Sequence, residues 1–275
     1  MSFVECEVCE TFFTNPRPTP EILSWFYKDS VNYNYWDKYI FPSSERARRK
    51  KIVAPRVDKI INLCKKFGVK TGSILEVGAG HGTFCQEMMS RKIFEEVIAV
   101  EPVASQAKTC ESKGIRTINS TIEKIKFNKK DLFDVVVNFE VMEHLFSPKG
   151  FISNCQKFFK KGGLFIFTLP NGKGFDISTL GKLSDSVDHE HLNYFNPKSI
   201  ELLLNKCGFK VVDISTPGKL DAELVRKRML SGEFKADIFL EQILIDNWEQ
   251  AGDDFQKFIS NHRLSSHMMV VAKKK

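Results

Sequence analysis

Residues 73–84, SILEVGAGHGTF, decide how the rest of the chain is interpreted. A short run with the character of a buried strand carries Glu76 near its end, and three glycines follow at every second position, Gly78, Gly80 and Gly82. Because glycine lacks a Cβ atom, the backbone of such a turn can adopt positive φ, and a ligand can lie directly against its peptide groups. The stretch therefore predicts a strand, a ligand-binding turn and a helix.

The spacing of the glycines indicates which ligand the turn favours. A dinucleotide fingerprint, G-x-G-x-x-G, needs its third glycine at position 83, where this chain has Thr83. A carboxylate two residues before the first glycine would also repel a pyrophosphate and attract an ammonium or sulfonium group. The turn therefore favours a cationic ligand over NAD.

Strand and helix patterns alternate on both sides of this turn. The alternation predicts an α/β fold with a doubly wound parallel sheet, which binds its ligands at the carboxyl ends of the strands. We predict strands at residues 73–77, 96–100, 117–119, 133–138, 164–169, 210–214 and 267–272, and helices at 44–67, 82–91, 104–113, 148–159 and 197–207.

We divide the chain into four segments. Residues 1–43 are interpreted as a linker and lid, with an unmetallated C-x-x-C at Cys6 and Cys9, a rigid NPRPTP stretch, a helix from Thr19 and a run of aromatic residues. Residues 44–216 form the α/β core, and residues 264–275 supply its final strand. Residues 217–263 are predicted to form a helical insertion, which acts as a cap or as the contact surface of a homodimer.

The composition limits the class of protein. The chain has 275 residues, 42% of them hydrophobic, and a formal net charge of +7. No apolar run approaches a membrane span and no signal peptide is evident, so we expect a cytoplasmic protein. Its lysines are scattered, which argues against nucleic acid as a partner, whereas the basic run at residues 46–51 favours an anionic acceptor such as a sugar nucleotide. Seven cysteines, an odd number, indicate reduced thiols.

Three motifs together resemble one family. These are E-x-G-x-G-x-G from Glu76, FDVVVNFEVMEHL at residues 133–145 and DHEHLNYF at residues 188–195. The chain is similar to class I S-adenosylmethionine (SAM) methyltransferases, in particular to a bacterial branch whose longer members carry an N-terminal zinc-binding piece. The resemblance implies a Rossmann-like seven-stranded sheet with an antiparallel last strand, SAM as cofactor and S-adenosylhomocysteine as product.

The resemblance also implies which residues contact the cofactor. The glycine turn would contact the methionine part of SAM, and Glu76 its amino group. Glu101, at the end of the second core strand, would accept the ribose hydroxyls. The full set expected to bind SAM is Glu76, Gly78, Ala79, Gly80, Gly82, Phe84, Glu101, Pro102, Ser120, Thr121, Ile122, Asn138, Phe139 and Glu140.

Methyl transfer from a sulfonium is an in-line displacement, so the enzyme orients the acceptor and, for a hydroxyl, removes a proton. Histidine suits that task near neutral pH. We expect His191 to be the base, with His189 second and His144 third. Glu140 and Glu143 with His144 also resemble the E-x-x-E-H segment of quinone-biosynthesis O-methyltransferases, where a divalent cation can help to hold the acceptor, but we expect no bound metal here.

The function that we expect is methyl transfer from SAM to a small molecule. Members of the branch are associated with surface polysaccharide and modified-sugar biosynthesis, so the resemblance implies a hydroxyl of a sugar or nucleotide-linked sugar as acceptor. The alternatives are a methyltransferase for quinone precursors or other small aromatic hydroxyls, and a SAM-binding assembly protein without turnover. Residues 175–188 are interpreted as a gate that selects the acceptor.

Overall fold

The computed structural model describes residues 2–31, 35–126 and 132–275. Its centre is a seven-stranded sheet, built from β3 (Ser73–Val77), β4 (Glu96–Val100), β5 (Arg116–Ile118), β6 (Phe133–Phe139), β7 (Phe159–Pro170), β9 (Phe209–Ser215) and β10 (His267–Lys274). The spatial order is β5-β4-β3-β6-β7-β10-β9, and β10 runs antiparallel to both of its neighbours. The predicted Rossmann-like α/β sheet with an antiparallel last strand is therefore confirmed.

The strand order reverses at β3. From β3 the chain moves outward to β4 and β5, and it then returns to form β6 on the other side of β3. The carboxyl ends of β3, β4 and β6 thus border a crevice at the topological switch point of the sheet, which is where ligands of doubly wound folds bind. The glycine turn that follows Val77 lies at this point.

Helices cover both faces of the sheet. On one face Ile60, Met88 and Cys110 pack against the strands, and on the other face Phe151 and Leu204 do so. The helices are α1 (Pro20–Asp29), α2 (Phe41–Arg48), α3 (Ala54–Phe67), α4 (Thr83–Arg91), α5 (Ala104–Ser112), α6 (Pro148–Cys155), α7 (Phe175–Leu180), α8 (Pro197–Lys206), α9 (Asp221–Leu230), α10 (Ile238–Glu241) and α11 (Trp248–Asn261).

Three predicted elements differ from the structure by more than two residues. The helix predicted at residues 148–159 ends at Cys155 and is followed by a 3-10 helical turn. The helix expected at residues 44–67 is two α-helices, α2 and α3, joined by a π-helical turn at Arg49–Val53. Strand β7 begins at Phe159, five residues before the predicted start at Leu164. Phe158 and Phe159 are buried in the core, so the chain passes from the helical turn after α6 directly into the strand.

Residues 217–263 contain α9, α10 and α11, between β9 and β10. Val225 and Leu244 from this insertion form a small apolar core with Leu180 of α7. Helix α7 occupies the first half of the segment that we interpreted as a gate, and Asp176, Ile177 and Leu180 within it are buried. Helix α7 is therefore anchored by three buried side chains, and Gly181, Lys182 and Asp185 after it are exposed.

The N-terminal residues form a second sheet that the sequence did not predict. Strands β1 (Phe3–Glu5) and β2 (Phe12–Thr14) make an antiparallel hairpin, and β2 also pairs with β8 (Asn193–Tyr194). Cys6 and Cys9 lie in the hairpin turn. The start of the segment that we interpreted as a linker and lid thus pairs with the chain just after His191. Residues 32–34, part of the predicted aromatic run, lie outside the described residues.

Candidate active site

The glycine turn has the conformation that its sequence demands. Gly78, Gly80 and Gly82 have φ values of 81°, 54° and 70°. A Cβ atom on Gly78 would lie 2.7 Å from Cγ2 of Val141, and one on Gly82 would lie 2.6 Å from Cδ1 of Ile115, so both glycines allow close packing. A Cβ on Gly80 would meet nothing nearer than 3.9 Å. The turn is therefore open above Gly80, and the residues present fit a ligand that lies against the backbone there.

Glu101 is fixed beside this open turn. One carboxylate oxygen accepts the backbone N–H of Gly80 at 2.7 Å, and the other accepts that of Val103 at 2.8 Å. These two bonds fix the orientation of the carboxylate at the end of β4. Binding of the ribose hydroxyls by Glu101 stays a prediction, and Pro102 follows Glu101 directly at the same edge of the sheet.

Glu76 lies beneath the turn with 4% of its surface exposed. Its Oε2 accepts a hydrogen bond from the Cys85 thiol at 3.0 Å. Burial raises the pKa of Glu76 to about 8, against the lowering effect of the Cys85 hydrogen bond and the Arg56 charge. This carboxyl is therefore largely neutral at pH 7, and a cationic ligand nearby would favour its ionisation.

The predicted adenine-binding residues follow β5. The N–H of Glu101 donates to the carbonyl of Ile118, and Asn119 donates its amide to the Glu101 carbonyl, so the ends of β4 and β5 are tied together. Ser120 and Thr121 lie in the connection that follows. The side chain of Ile122 packs into the apolar core, so it does not face this crevice.

The end of β6 supplies the other side of the crevice. Asn138 is fully buried, and neither its amide oxygen nor its amide nitrogen has a hydrogen-bond partner among the described residues. The ring of Phe139 lies 4.8 Å from that of Phe84, between centroids. Glu140 follows with a φ of 54°. The side chain of Glu140 is 41% exposed at this edge of the sheet.

Three residues near Glu140 were absent from the predicted site. The Thr168 hydroxyl donates to Oε1 of Glu140 at 2.6 Å, Nδ1 of His267 lies 3.7 Å from the same oxygen, and a nitrogen of Arg56 lies 3.9 Å from it. Burial raises the pKa of Glu140, but His267, Thr168 and Arg56 together hold it below its ordinary value. Glu140 is therefore ionised at neutral pH.

The sequence contains a signal that could have placed two of these residues, His267 and Thr168, in the site. His267 is the first residue of β10 and pairs with Pro170, the last residue of β7, because β10 is antiparallel. An antiparallel closing strand brings its first residue, and not its last, to the ligand-binding edge. Thr168 interrupts an apolar strand near its carboxyl end, which is the expected place for a polar site residue.

Two of the three predicted catalytic histidines lie together. The ring centroids of His144 and His191 are 4.7 Å apart. Nδ1 of His144 lies 3.1 Å from the carbonyl oxygen of Glu190, and Nδ1 of His191 lies 3.0 Å from that of Ser186. His189 points away: its side chain is 65% exposed, with Nδ1 2.7 Å from a carboxylate oxygen of Asp188.

Burial keeps the inner histidines neutral. It lowers the pKa of His144 to about 4, with the charge of His191 acting in the same direction. Burial also lowers the pKa of His191, although the bond to the Ser186 carbonyl and the charges of Asp188 and Glu140 oppose this. Because a carbonyl oxygen only accepts, Nδ1 of His191 carries the proton and Nε2 is left as a proton acceptor.

Glu143 completes this cluster. It is fully buried, and neither carboxylate oxygen has a hydrogen-bond partner among the described residues. Burial, reinforced by the charge of Glu140, raises its pKa well above the ordinary value. Ligand atoms of Glu143, His144 and His191 lie within 4.8 Å of one another, a spacing that a cation could bridge. Glu140 of the E-x-x-E-H segment does not belong to this group.

Comparison with known proteins assigns the family. A family model described as a methyltransferase domain matches residues 46–214, which is more than half of the chain. The chain belongs to this methyltransferase family. The match confirms the resemblance to class I SAM methyltransferases.

The relatives agree on the fold of this methyltransferase. It is 29% identical over 168 residues to a ubiquinone biosynthesis O-methyltransferase from Bradyrhizobium sp. (strain ORS 278), and the match covers 55% of this chain and 63% of the relative. A SAM-dependent methyltransferase from Archaeoglobus fulgidus superposes with a TM-score of 0.57 at 20% identity, covering 86% of this chain and all of that one.

A third comparison concerns the cofactor. A Burkholderia thailandensis 1,6-didemethyltoxoflavin-N1-methyltransferase, solved with its substrate and S-adenosylhomocysteine, has a TM-score of 0.53 at 12% identity over the full length of both chains. The predicted cofactor, SAM, is supported by the family match and by these SAM-dependent structures. In the described part of the methyltransferase, no helix has the length and apolar character needed to cross a bilayer.

Proposed function

We propose that this methyltransferase transfers the methyl group of SAM to a hydroxyl oxygen of a small polar acceptor, a sugar or a nucleotide-linked sugar. One observation carries the proposal. A neutral imidazole, His191, stands beside the end of β6 with Nδ1 bonded to a backbone carbonyl, and no described residue forms a hydrogen bond with its Nε2. That is the arrangement that a hydroxyl acceptor requires from a general base.

Each side chain of the site has a separate role in the proposed reaction. SAM supplies an electrophilic methyl group when it is bound. The hydrogen bond from His191 to Ser186 fixes the tautomer, so that Nε2 accepts the hydroxyl proton of the acceptor as its oxygen becomes nucleophilic. The negative charges of Asp188 and Glu140 then stabilise the imidazolium that forms. Glu101 and the open glycine turn hold the cofactor in a fixed position relative to His191.

Two features support a polyhydroxyl acceptor that carries negative charge. Asp188, His189 and Glu190 form a polar group beside His191, which suits sugar hydroxyls. The basic helix α2 lies against the glycine turn, where a carboxylate oxygen of Glu45 accepts the Thr83 hydroxyl at 3.0 Å. The arginines of α2 are therefore carried close to the crevice, which favours an acceptor with phosphate groups.

The relatives favour a second candidate function, O-methylation of a quinone precursor. The first of them, from Bradyrhizobium, and another from Maricaulis maris at 30% identity both bear the name ubiquinone biosynthesis O-methyltransferase. The chain spans 63% and 52% of the lengths of these two proteins. Methylation of a quinone precursor by this chain is therefore a proposal. An aromatic hydroxyl would use the same base.

A transfer assay decides between the two acceptors. The purified protein would be incubated with methyl-labelled SAM and, in separate reactions, nucleotide sugars and ortho-dihydroxy aromatic acids. Labelled sugar product supports the proposal, and labelled aromatic product alone supports the second candidate. Neither product, with SAM binding intact in calorimetry, supports the assembly protein without turnover. His191→Ala should abolish transfer while SAM still binds.

The homodimer expected from the sequence belongs to the same proposal. Ile238 and Phe239 at the start of α10 are 76% and 66% exposed, and Leu230 at the end of α9 is 59% exposed. Apolar side chains grouped on the insertion support it as the contact surface. Light scattering of the wild-type protein and of Phe239→Ser tests this, because a dimer through this surface should become monomeric in the variant.

A further inference from the structure

Tyr194 of β8 is a buried phenol close to His191. Only 3% of the residue is exposed, and its ring contacts that of His191, with 5.6 Å between the centroids. Two other residues hold the ring. Phe3 of β1 packs edge-on against it at 5.3 Å between centroids, and a Cβ atom on Gly172, just after β7, would lie 2.8 Å from that of Tyr194. The phenol therefore has a fixed position beside the loop that carries His191.

The hydroxyl of Tyr194 bridges two successive peptide groups of that loop. Its oxygen accepts the backbone N–H of Asp188 at 2.9 Å, and its proton is donated to the carbonyl oxygen of Ser186 at 3.2 Å. Burial raises the pKa of Tyr194, although the hydrogen bond from Asp188 opposes this, so the phenol keeps its proton at neutral pH. Both partners are backbone groups, so the hydroxyl acts on the conformation of the loop.

The carbonyl of Ser186 also holds the imidazole of His191. Nδ1 of His191 lies 3.0 Å from the same oxygen that accepts the Tyr194 hydroxyl. A carbonyl oxygen has two lone pairs, so it accepts both donors at once. In addition, the backbone N–H of His191 donates to the Asp188 carbonyl at 3.3 Å. The peptide groups that fix His191 are therefore the ones that Tyr194 fixes in turn.

We propose that Tyr194 is a positioning residue for the base, an inference that rests on the proposed function. Its hydroxyl orients the Ser186 carbonyl, which keeps the proton of His191 on Nδ1 and leaves Nε2 to take the proton of the acceptor. Without the hydroxyl, the peptide groups of Ser186 and Asp188 can rotate, and His191 can exchange its proton between the two nitrogens. A base whose accepting nitrogen is displaced or protonated loses rate, whereas a cofactor at the ends of β3 and β4 still binds.

The experiment compares the wild type with Tyr194→Phe, which keeps the ring and removes the hydroxyl. The matched control is Ser112→Ala, which removes a hydroxyl that donates to a backbone carbonyl at the exposed end of α5. Nitrogen NMR of isotope-labelled histidine would identify the tautomer of His191, whose signals are assigned by their absence in His191→Gln. Kinetics would measure the turnover number, and calorimetry would measure the affinity for SAM.

The wild type and Ser112→Ala should show one tautomer of His191, with the proton on Nδ1. Tyr194→Phe should show a mixture of tautomers and a turnover number lowered about 10- to 100-fold, with the affinity for SAM unchanged. An unchanged tautomer or an unchanged turnover number in Tyr194→Phe overturns the proposal, and so does a matching loss of SAM affinity, which indicates a general disturbance of the fold. Turnover that survives in His191→Ala refutes the proposed function instead. The tautomer comparison needs no acceptor, so it tests Tyr194 in either case.

Discussion

The buried carboxyl of Glu76 makes the stability of this methyltransferase depend on pH in a defined way. The perturbation is Glu76→Gln, which replaces a titrating group by a neutral one of the same shape. Burial raises the pKa of Glu76 in the folded protein to about 8, compared with 4.5 for an ordinary glutamate. Below pH 4.5 both the folded and the unfolded chain hold the proton, and the carboxyl does not destabilise the fold.

Between pH 4.5 and 8 the unfolded chain loses this proton while the folded protein keeps it. Unfolding therefore becomes more favourable as pH rises, and the loss is complete above the folded pKa. Each pKa unit corresponds to ~1.4 kcal/mol, so the largest loss is about 4–5 kcal/mol. For a chain of this size, such a loss lowers the melting temperature by roughly 10 °C.

The assay is thermal unfolding of the ligand-free wild type and of Glu76→Gln at several values between pH 5 and pH 8.5. Other titrating groups affect both proteins equally, so the difference between them isolates Glu76. As pH rises, the free energy of unfolding of the variant should increase relative to that of wild type, by up to about 4–5 kcal/mol. Glu111→Gln, at an exposed position of α5, should show no such trend. A difference between wild type and Glu76→Gln that stays constant with pH would refute the reasoning.

Three further predictions concern the histidines, the glycine turn and metal ions. Because burial lowers the pKa of His191, the acidic fall of the turnover number should lie at a lower pH than the titration of an ordinary histidine, and His189→Ala should reduce turnover less than His191→Ala; a greater loss in His189→Ala contradicts the assignment. Gly82→Ala should cost about 2 kcal/mol or more in urea unfolding, whereas Gly114→Ala, which has a similar φ and open space around it, should cost only about 1 kcal/mol. EDTA treatment should leave turnover unchanged, since the raised pKa of Glu143 disfavours the ionised carboxylate that a cation binds; a loss that Mg²⁺ or Mn²⁺ restores would show the opposite.

Much of the fold could be predicted because the central strands are short apolar runs bordered by glycine or polar residues. The bounds of β3 and β4 match the prediction residue for residue. The glycine turn and Glu101 were found for the same reason, since they lie next to those strands in the sequence. Local patterns therefore located the side of the crevice formed by β3 and β4.

The neighbours of Glu140 could not be found in this way. Arg56, Thr168 and His267 come from a helix and two strands that are far apart in the chain, and only the strand order brings them to one oxygen. The N-terminal hairpin was missed because each of its strands has three residues, too few to show a period of two. Contacts set by long-range pairing leave little local signal.

The pairing of β2 with β8 has a consequence for how the protein is made. Arg17, just after β2, hydrogen-bonds Asn193 of β8, and the two residues are 176 positions apart. During synthesis the N-terminal strand leaves the ribosome long before its partner exists, and such distant contacts form slowly. The loop that carries His191 precedes β8 directly, so we expect it to reach its final shape late in folding. Catalytic competence would then lag behind the formation of the central sheet, and the two can be timed separately on refolding.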